Sequence, residues 1–438
     1  MTVVATILIF IVSYIGIMLE KVNRAVVAMT GSVLLLIIGV YPWSDAFSTY
    51  IDWNTIALLF SMMVLVSITK KTGIFSFIAI RFAQQVKGHP LHLLIGSAIF
   101  TAVGSALLDN VTTVLLFVPV ILTLTKMLLL PSFPYLITII FSANIGGTAT
   151  LIGDPPNIMI GQAVEHFTFL SFIQHAAPVA IILLLLLLIV IAKLFKNKLQ
   201  PKEKNKIEEL MKMDASKDLI KSPMLYQSIS ILSLTIIGFL LHTFIHIDLT
   251  TVAVCGALLL LLVTDKELGA EKVFKEVEWV TLFFFIGLFM LVGGLERVGI
   301  IDEIARGIMW ITEGDLPTTA ILLLWTAGLF SGVVDNIPFV AAMIPVINEL
   351  ESYGIDNLDP LWWSLALGAC LGGNGTLIGA SANVVVAGLA AGENQSISFI
   401  RFMKYGVPIV IVSLIVSSIY IYVRYLYPYT LILPLVFS

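Results

Sequence analysis

Apolar runs long enough to cross a bilayer follow one another along this chain, separated by short polar stretches. A helix needs roughly 17 to 25 apolar residues to span about 30 Å of hydrocarbon. Full spans are expected near 3–19, 25–41, 55–69, 135–163, 173–193, 226–244, 250–263, 279–294, 361–391 and 406–424. Two further apolar segments, 91–129 and 317–347, are interrupted by polar residues at their centres. No small-residue cleavage site follows the first run, so it reads as a true span and not a signal peptide. With 59% hydrophobic and 12% charged residues, the expected class is an all-α polytopic membrane protein.

The placement of charge adds an orientation. Lys21 and Arg24, Lys70 and Lys71, Arg81 and Lys87, and the stretch KLFKNKLQPKEKNK (193–206) fall on one set of connections. The alternate connections, such as YPWSDAFSTYID (41–52), carry acids without Lys or Arg. Cytoplasmic loops are rich in Lys and Arg, so the basic set is cytoplasmic and both termini are expected outside. The net charge of −4 points to no polyionic partner, and nucleic acid is not expected. Cys255 and Cys370 lie in apolar spans without metal-ligand spacing and read as packing residues.

The chain is written twice. SALLDNVTTVLLFVP (105–119) aligns with SGVVDNIPFVAAMIP (331–345), and GGTATLIGDPPN (146–157) with GGNGTLIGASAN (372–383), both at an offset of 226 residues. WNTIALLFSMMVLVSITKKTGI (53–74) keeps the same offset against WVTLFFFIGLFMLVGGLERVGI (279–300). Three stretches in one register define repeat 1 (1–196, with hairpin 91–129 and broken span 135–163) and repeat 2 (223–438, with hairpin 317–347 and broken span 361–391). A charged cytoplasmic linker, 197–222, joins them. Each half holds five full spans plus one hairpin; five is odd, so the second copy enters from the opposite side, an inverted-topology repeat. The hairpins read as re-entrant, two arms around a polar Asp-Asn tip buried in protein or lining a wet cavity.

Two doubled motifs carry the candidate chemistry. An ionised aspartate near the bilayer centre costs roughly 2.5–3.5 kcal/mol on insertion scales, so such residues are paired, wet or functional. Asp109–Asn110 and Asp335–Asn336 also suit a helix N-cap, with Thr112 and Thr113 in the first turn after the first pair. Both readings are compatible, because a capped half-helix start is itself a site for anions and polar solutes. The glycine-rich stretches break their spans and expose carbonyl and N–H groups. Packing of small residues alone leaves Asn144, Thr148, Thr150, Asp154 and Asn157, and Asn374, Thr376 and Asn383, without a role, so these are expected to bind substrate or ion. Asp154 has Ala380 as its counterpart, Thr148 has Asn374 and Thr112 has Pro338. Asp109, Asp335 and Asp154 are the acids expected at depth, with no Arg or Lys beside them. They are therefore expected to exchange protons or hold Na⁺, with Asp109, Asn110, Asp335 and Asn336 the candidate Na⁺ ligands. Stretches 74–87 and 300–310 read as interfacial amphipathic helices. His175 reads as an interface residue, and Lys126 as reaching the cytoplasmic surface.

LLDNVTTVLLFVP with NIGGTATLIGDPPN resembles the ion transporter superfamily, in the branch of the ArsB/NhaD permeases, with wording nearest the melanosomal P protein group. The resemblance covers essentially the whole chain. It implies a homodimer whose subunits each pair a scaffold with a mobile transport domain working by an elevator motion, and a prokaryotic inner membrane as location. In dicarboxylate-transporting relatives the tips read Ser-Asn-Thr; here they read Asp109-Asn110-Val111 and Asp335-Asn336-Ile337, which favours proton or cation exchange. The expected function is a secondary transporter of a small inorganic or organic anion, or of Na⁺ against H⁺, most simply an ArsB/NhaD-type antiporter with arsenite among the candidate solutes. A Na⁺- or H⁺-coupled citrate or dicarboxylate symporter and a passive anion channel remain open. No cofactor beyond the coupling ion is expected. An enzyme is not expected either, since no nucleophile–base pair or metal cluster lies at depth.

Overall fold

Caps and prolines set the limits of the helices. Asn23, Asp52, Asp248 and Asp315 each accept from a backbone N–H of the turn they precede, satisfying donors that a helix start leaves without partners. Pro90, Pro155, Pro223 and Pro360 stand in first turns, where a missing N–H costs nothing. The computed structural model describes residues 2–19, 21–197, 199, 204–217 and 219–427. Positions 198, 200–203 and 218 of the expected linker, and 428–438 of the expected second repeat, lie outside the described residues.

Among the described residues the chain is helical without strands. The first half runs α1 (Thr2–Leu19), α2 (Arg24–Ile37), α3 (Trp43–Asp45), α4 (Trp53–Lys71), α5 (Ile74–Gln85), α6 (Pro90–Leu107), α7 (Asn110–Met127), α8 (Ser132–Thr148), α9 (Pro155–Ala163), α10 (Phe169–His175) and α11 (Ala177–Phe195). A linker helix, α12 (Lys204–Lys212), precedes α13 (Pro223–Ile245), α14 (Leu249–Leu268), α15 (Ala270–Phe274), α16 (Trp279–Arg297), α17 (Ile300–Thr312), α18 (Leu316–Ser331), α19 (Asn336–Ser352), α20 (Asp359–Gly372), α21 (Ser381–Gly392) and α22 (Phe399–Ile421).

The 226-residue offset reappears in these limits. Both ends of α4 and α16 obey it, as do the starts of α6 and α18 and of α7 and α19. Gly73 and Gly299, at φ of 77° and 79°, turn the chain at equivalent points into α5 and α17; the left-handed conformation is one that glycine adopts without a Cβ clash. Helix α2 packs on α16 as α14 packs on α4, and α6 on α8 as α18 on α20. The first pairing is thus reproduced with the halves exchanged.

Helix α8 is buried along its whole length, and α20 is buried from Pro360 to Gly372. Around this centre the outer helices turn apolar side chains outward, among them Val12, Leu185, Leu234 and Leu262, as a surface that faces lipid or another protein does. Nine described helices are long and apolar enough to cross a bilayer. The chain is a multi-pass integral membrane protein. Two of the spans expected from the sequence, 135–163 and 361–391, are pairs of half-helices, α8 with α9 and α20 with α21. The run at 25–41 shortens to the 14 residues of α2. Hairpin arms α6 and α7 each reach 18 residues, long enough to cross, while α18 and α19 have 16 and 17.

Candidate functional site at two hairpin tips and two helix breaks

Each break is stitched by an asparagine from the half-helix that follows it. Asn157 Nδ2 donates to the carbonyls of Gly147 and Thr148 at 3.3 Å and of Thr150 at 2.9 Å. Asn383 Nδ2 donates to the equivalent carbonyls of Gly373, at 2.7 Å, and Thr376, at 2.9 Å. Carbonyls at a helix C-terminus lack intrahelical donors, and a buried one without a partner costs about 1–3 kcal/mol. The two asparagines therefore hold the breaks open in a fixed shape. Their oxygens are also engaged: Cys370 Sγ donates to Asn157 Oδ1 at 3.3 Å, and Asn144 Nδ2 to Asn383 Oδ1 at 3.0 Å. Cys370 is the counterpart of Asn144, so these two contacts exchange under the repeat.

Each hairpin is fastened to its break in the same manner. Ser105 Oγ donates to Ala143 O and Ser331 Oγ to Ala369 O, both at 2.6 Å and 226 residues apart. A β-carbon on Gly146 would lie 2.2 Å from Ala102 O, and one on Gly372 would lie 2.3 Å from Gly328 O. Glycine is required at both places, because nothing larger fits against the backbone of the hairpin arm.

From these anchors the tips reach the breaks. Asn110 Nδ2 donates to Asn144 Oδ1 at 3.4 Å, and Asn144 Nδ2 to Asn374 Oδ1 at 2.9 Å. Asn336 Nδ2 donates to both carboxylate oxygens of Asp154 at 3.3 Å. One polar core thus joins α7, α8 and the second break, and a second joins α19 to the first break, with Cys370 beside Asp154. Several expected ligands are internally occupied: Thr112 on Asp109, Thr148 Oγ1 on Asn144 O, and Thr150 Oγ1 on Ala106 O. Four buried atoms are not. Asn110 Oδ1, Thr113 Oγ1, Asn374 Nδ2 and Thr376 Oγ1 have no hydrogen-bond partner. Most other such atoms among the described residues are lone helix hydroxyls, such as Ser142 and Ser417.

The two aspartates at the tips are not equivalent. Asp109, at φ 153° and ψ 164°, caps α7; Thr112 donates its N–H at 2.7 Å and its hydroxyl at 2.6 Å. No cation was expected near Asp335, yet Arg24 Nη1 pairs with its Oδ2 at 2.7 Å. Arg24 opens α2, and the second hairpin tip packs onto it. Cys370, expected as a packing residue, also belongs to the polar core. Its place opposite Asn144 in the repeat is the signal that could have found it.

Two cavities flank the site at equivalent places. One, of about 410 Å³, lies between α9 and α19 and is lined by Gln162, Pro345, Asn348 and Glu349, with Asp52, Glu296 and Asp302 at its edge. The Tyr353 hydroxyl bonded to Asp302 holds that carboxyl below the usual carboxylate range. The other, of about 730 Å³, lies between α7 and α21 and is lined by Pro119, Leu122, Thr123 and Gly388, with Lys126 and Glu393. Pro119, Leu122, Thr123 and Gly388 pair with Pro345, Asn348, Glu349 and Gln162 across the repeat. Lys126 is exposed, 3.6 Å from Glu393. His175 lies outside the polar core, stacked on Trp363 and bonded to Tyr425.

Residues 14–368 match the citrate transporter family, CitMHS. The chain belongs to the CitMHS family. An uncharacterized transporter of Mycobacterium bovis is 39% identical over 96% of this chain and 98% of its own length. The human P protein is 33% identical over 94% of this chain, which covers 59% of that protein. The crystal structure of the Alcanivorax borkumensis YdaH transporter aligns with a TM-score of 0.60 at 14% identity, covering 96% of this chain and 98% of that one, and shows a shared fold. This CitMHS member is a membrane transporter, not an enzyme.

Proposed function

We propose that this CitMHS member is a secondary transporter that couples movement of a small carboxylate or oxyanion to H⁺ or Na⁺. The observation that carries the reading is the set of four unpartnered buried atoms at the tip of the first hairpin and at the second break. Burying such groups without partners is costly, and their grouping at a hairpin tip and a helix break, on neighbouring side chains, supports a place where a polar solute or ion binds. Asn374 Nδ2 is a donor suited to an anion, with Thr376 two residues away; Asp109, Asp335 and Asp154 are the groups that take up the coupling cation. The paired cavities support alternating access, with α9 and α19 lining one approach and α7 and α21 the other. In this reading the repeat is inverted, the hairpins are re-entrant, and the two breaks with their hairpins move as a unit in an elevator within a homodimer.

Exchange of Na⁺ for H⁺ is the second reading, favoured by Asn110 Oδ1 and Thr113 Oγ1, oxygens one helical turn apart that suit a hard cation. Proteoliposomes containing a pH-sensitive dye, challenged in turn with citrate, succinate, arsenite and Na⁺, separate the readings and show whether coupling is symport or antiport. Asp109→Asn is expected to keep the fold and lose the pH dependence of transport. Unaltered pH dependence for every solute would remove Asp109 from coupling.

A further inference from the structure

The charge at the second hairpin tip is answered by a side chain from another part of the fold. Arg24 Nη1 donates to Asp335 Oδ2 at 2.7 Å and to Ser381 Oγ at 2.6 Å, and Ser381 Oγ donates to the same carboxylate oxygen at 2.9 Å. Arg24 Nη2 reaches Thr281 Oγ1 only at 3.4 Å, and the guanidinium lies 4.9 Å from the centre of the Phe284 ring. Arg24 and Thr281 belong to α2 and α16, which pack together; Asp335 and Ser381 belong to the hairpin tip and the second broken helix.

The repeat shows why the pair exists on one side alone. At the first tip Thr112 supplies Asp109 with an N–H and a hydroxyl. Its counterpart is Pro338, which has neither, so Asp335 keeps a single backbone donor, Ile337 N at 3.3 Å. The counterpart of Arg24 is Thr250, bonded to Asn54 O and accepting from Gln162. One tip is closed on itself, and the other holds a tethered cation.

We infer that Arg24 is a substrate-anion ligand held in reserve: paired with Asp335 its guanidinium neutralises that carboxylate, and the coupling cation arriving at Asp335 releases it to pair with a carboxylate or oxyanion. The inference rests on the anion reading above. A carboxylate stripped of its partner in a low-dielectric site is strongly unfavourable, so Arg24 leaves Asp335 only when another cation replaces it. A guanidinium offers a planar fork matched to a carboxylate or phosphate. Binding of the cation and of the anion are thereby linked through one side chain. The other charged groups that bear on this corner are Glu278, bonded to Thr281, and the carboxylates of Asp154 and Asp109.

The test is anion binding to the purified full-length protein, read by calorimetry and by the shift in melting temperature, with citrate as the carboxylate probe and phosphate as the oxyanion probe, at several pH values and Na⁺ concentrations. Arg24→Gln is expected to weaken binding by about tenfold or more, the loss of one charged hydrogen-bonding partner, and Arg24→Lys to fall between. Asp335→Asn frees the guanidinium and is expected to tighten binding and reduce its pH and Na⁺ dependence. The double variant is expected to match Arg24→Gln. Unchanged affinity in Arg24→Gln, or no tightening in Asp335→Asn, overturns the inference and leaves anion transport standing. Stability lost in both single variants and restored in the double, with affinity constant throughout, identifies a purely structural lock and overturns it equally. A wild-type protein that binds neither anion removes the anion reading itself, and this inference with it.

Discussion

Asn144 and Cys370 occupy the same place in the two copies, and each donates to the asparagine that stitches the opposite break. The thiol is thus a weak donor where its twin has an amide, and its environment is polar although its span is apolar. Cys370→Ala leaves Asn157 Oδ1 buried without that partner and is expected to lower stability by about 1–3 kcal/mol, whereas Cys370→Ser keeps a donor and is expected to stay close to wild type. Thermal unfolding of the two purified variants decides; equal stability would return Cys370 to simple packing. That Arg24 would stand beside Asp335 could not be read locally. A basic residue just before an apolar run counts toward a cytoplasmic loop, and the acid it meets lies 311 residues away. The substitution of Thr112 by Pro338 was visible in the alignment of the halves, and it implied that Asp335 needed a donor from elsewhere.

Among the elements, the half-helices were the most legible. Glycine, threonine and proline at the density of 146–157 and 372–383 disfavour a continuous helix, and the helix is interrupted inside both stretches, between Thr148 and Pro155 and between Gly372 and Ser381. Less legible was how closely the broken spans would pack on the hairpins. Gly146→Ala and Gly372→Ala each place a carbon within 2.3 Å of a backbone carbonyl on the neighbouring arm, a clash the arm can relieve only by moving away. Each is expected to cost at least about 1–3 kcal/mol, read as a drop in melting temperature of the detergent-purified protein. Gly388→Ala, with open space around it, is the control expected to leave stability unchanged. Hydropathy did not set the length of the second hairpin: α19 continues past position 347, through Glu349 and Glu351, to Ser352.

For the whole molecule, the equivalence of the two cavities is the feature with the largest consequence. Leu122 lines one and Asn348 the other, 226 residues apart. If the second copy is inverted, these positions open to opposite sides of the membrane. In a Cys255→Ser background, Leu122→Cys and Asn348→Cys are expected to react with an impermeant maleimide from opposite faces in right-side-out and inside-out vesicles. Labelling of both from one face would rule out the inverted arrangement. The acids around the cavity at Asn348 (Asp52, Glu296, Asp302 and Glu349) would then raise the local concentration of cations at one mouth only.

From the sequence alone came the membrane class, the duplication, the two Asp-Asn tips and the two breaks, because each depends on residues near one another in the chain: length of an apolar run, a helix-breaking cluster, a motif that recurs in register. The tertiary structure decided which polar groups are already satisfied, which four at the site are left open, that among the described residues Asp335 has a cation and Asp109 has none, and that Cys370 belongs to the polar core. Those outcomes depend on contacts between the halves, where one hydrogen bond at 2.7 Å joins side chains that no local pattern connects.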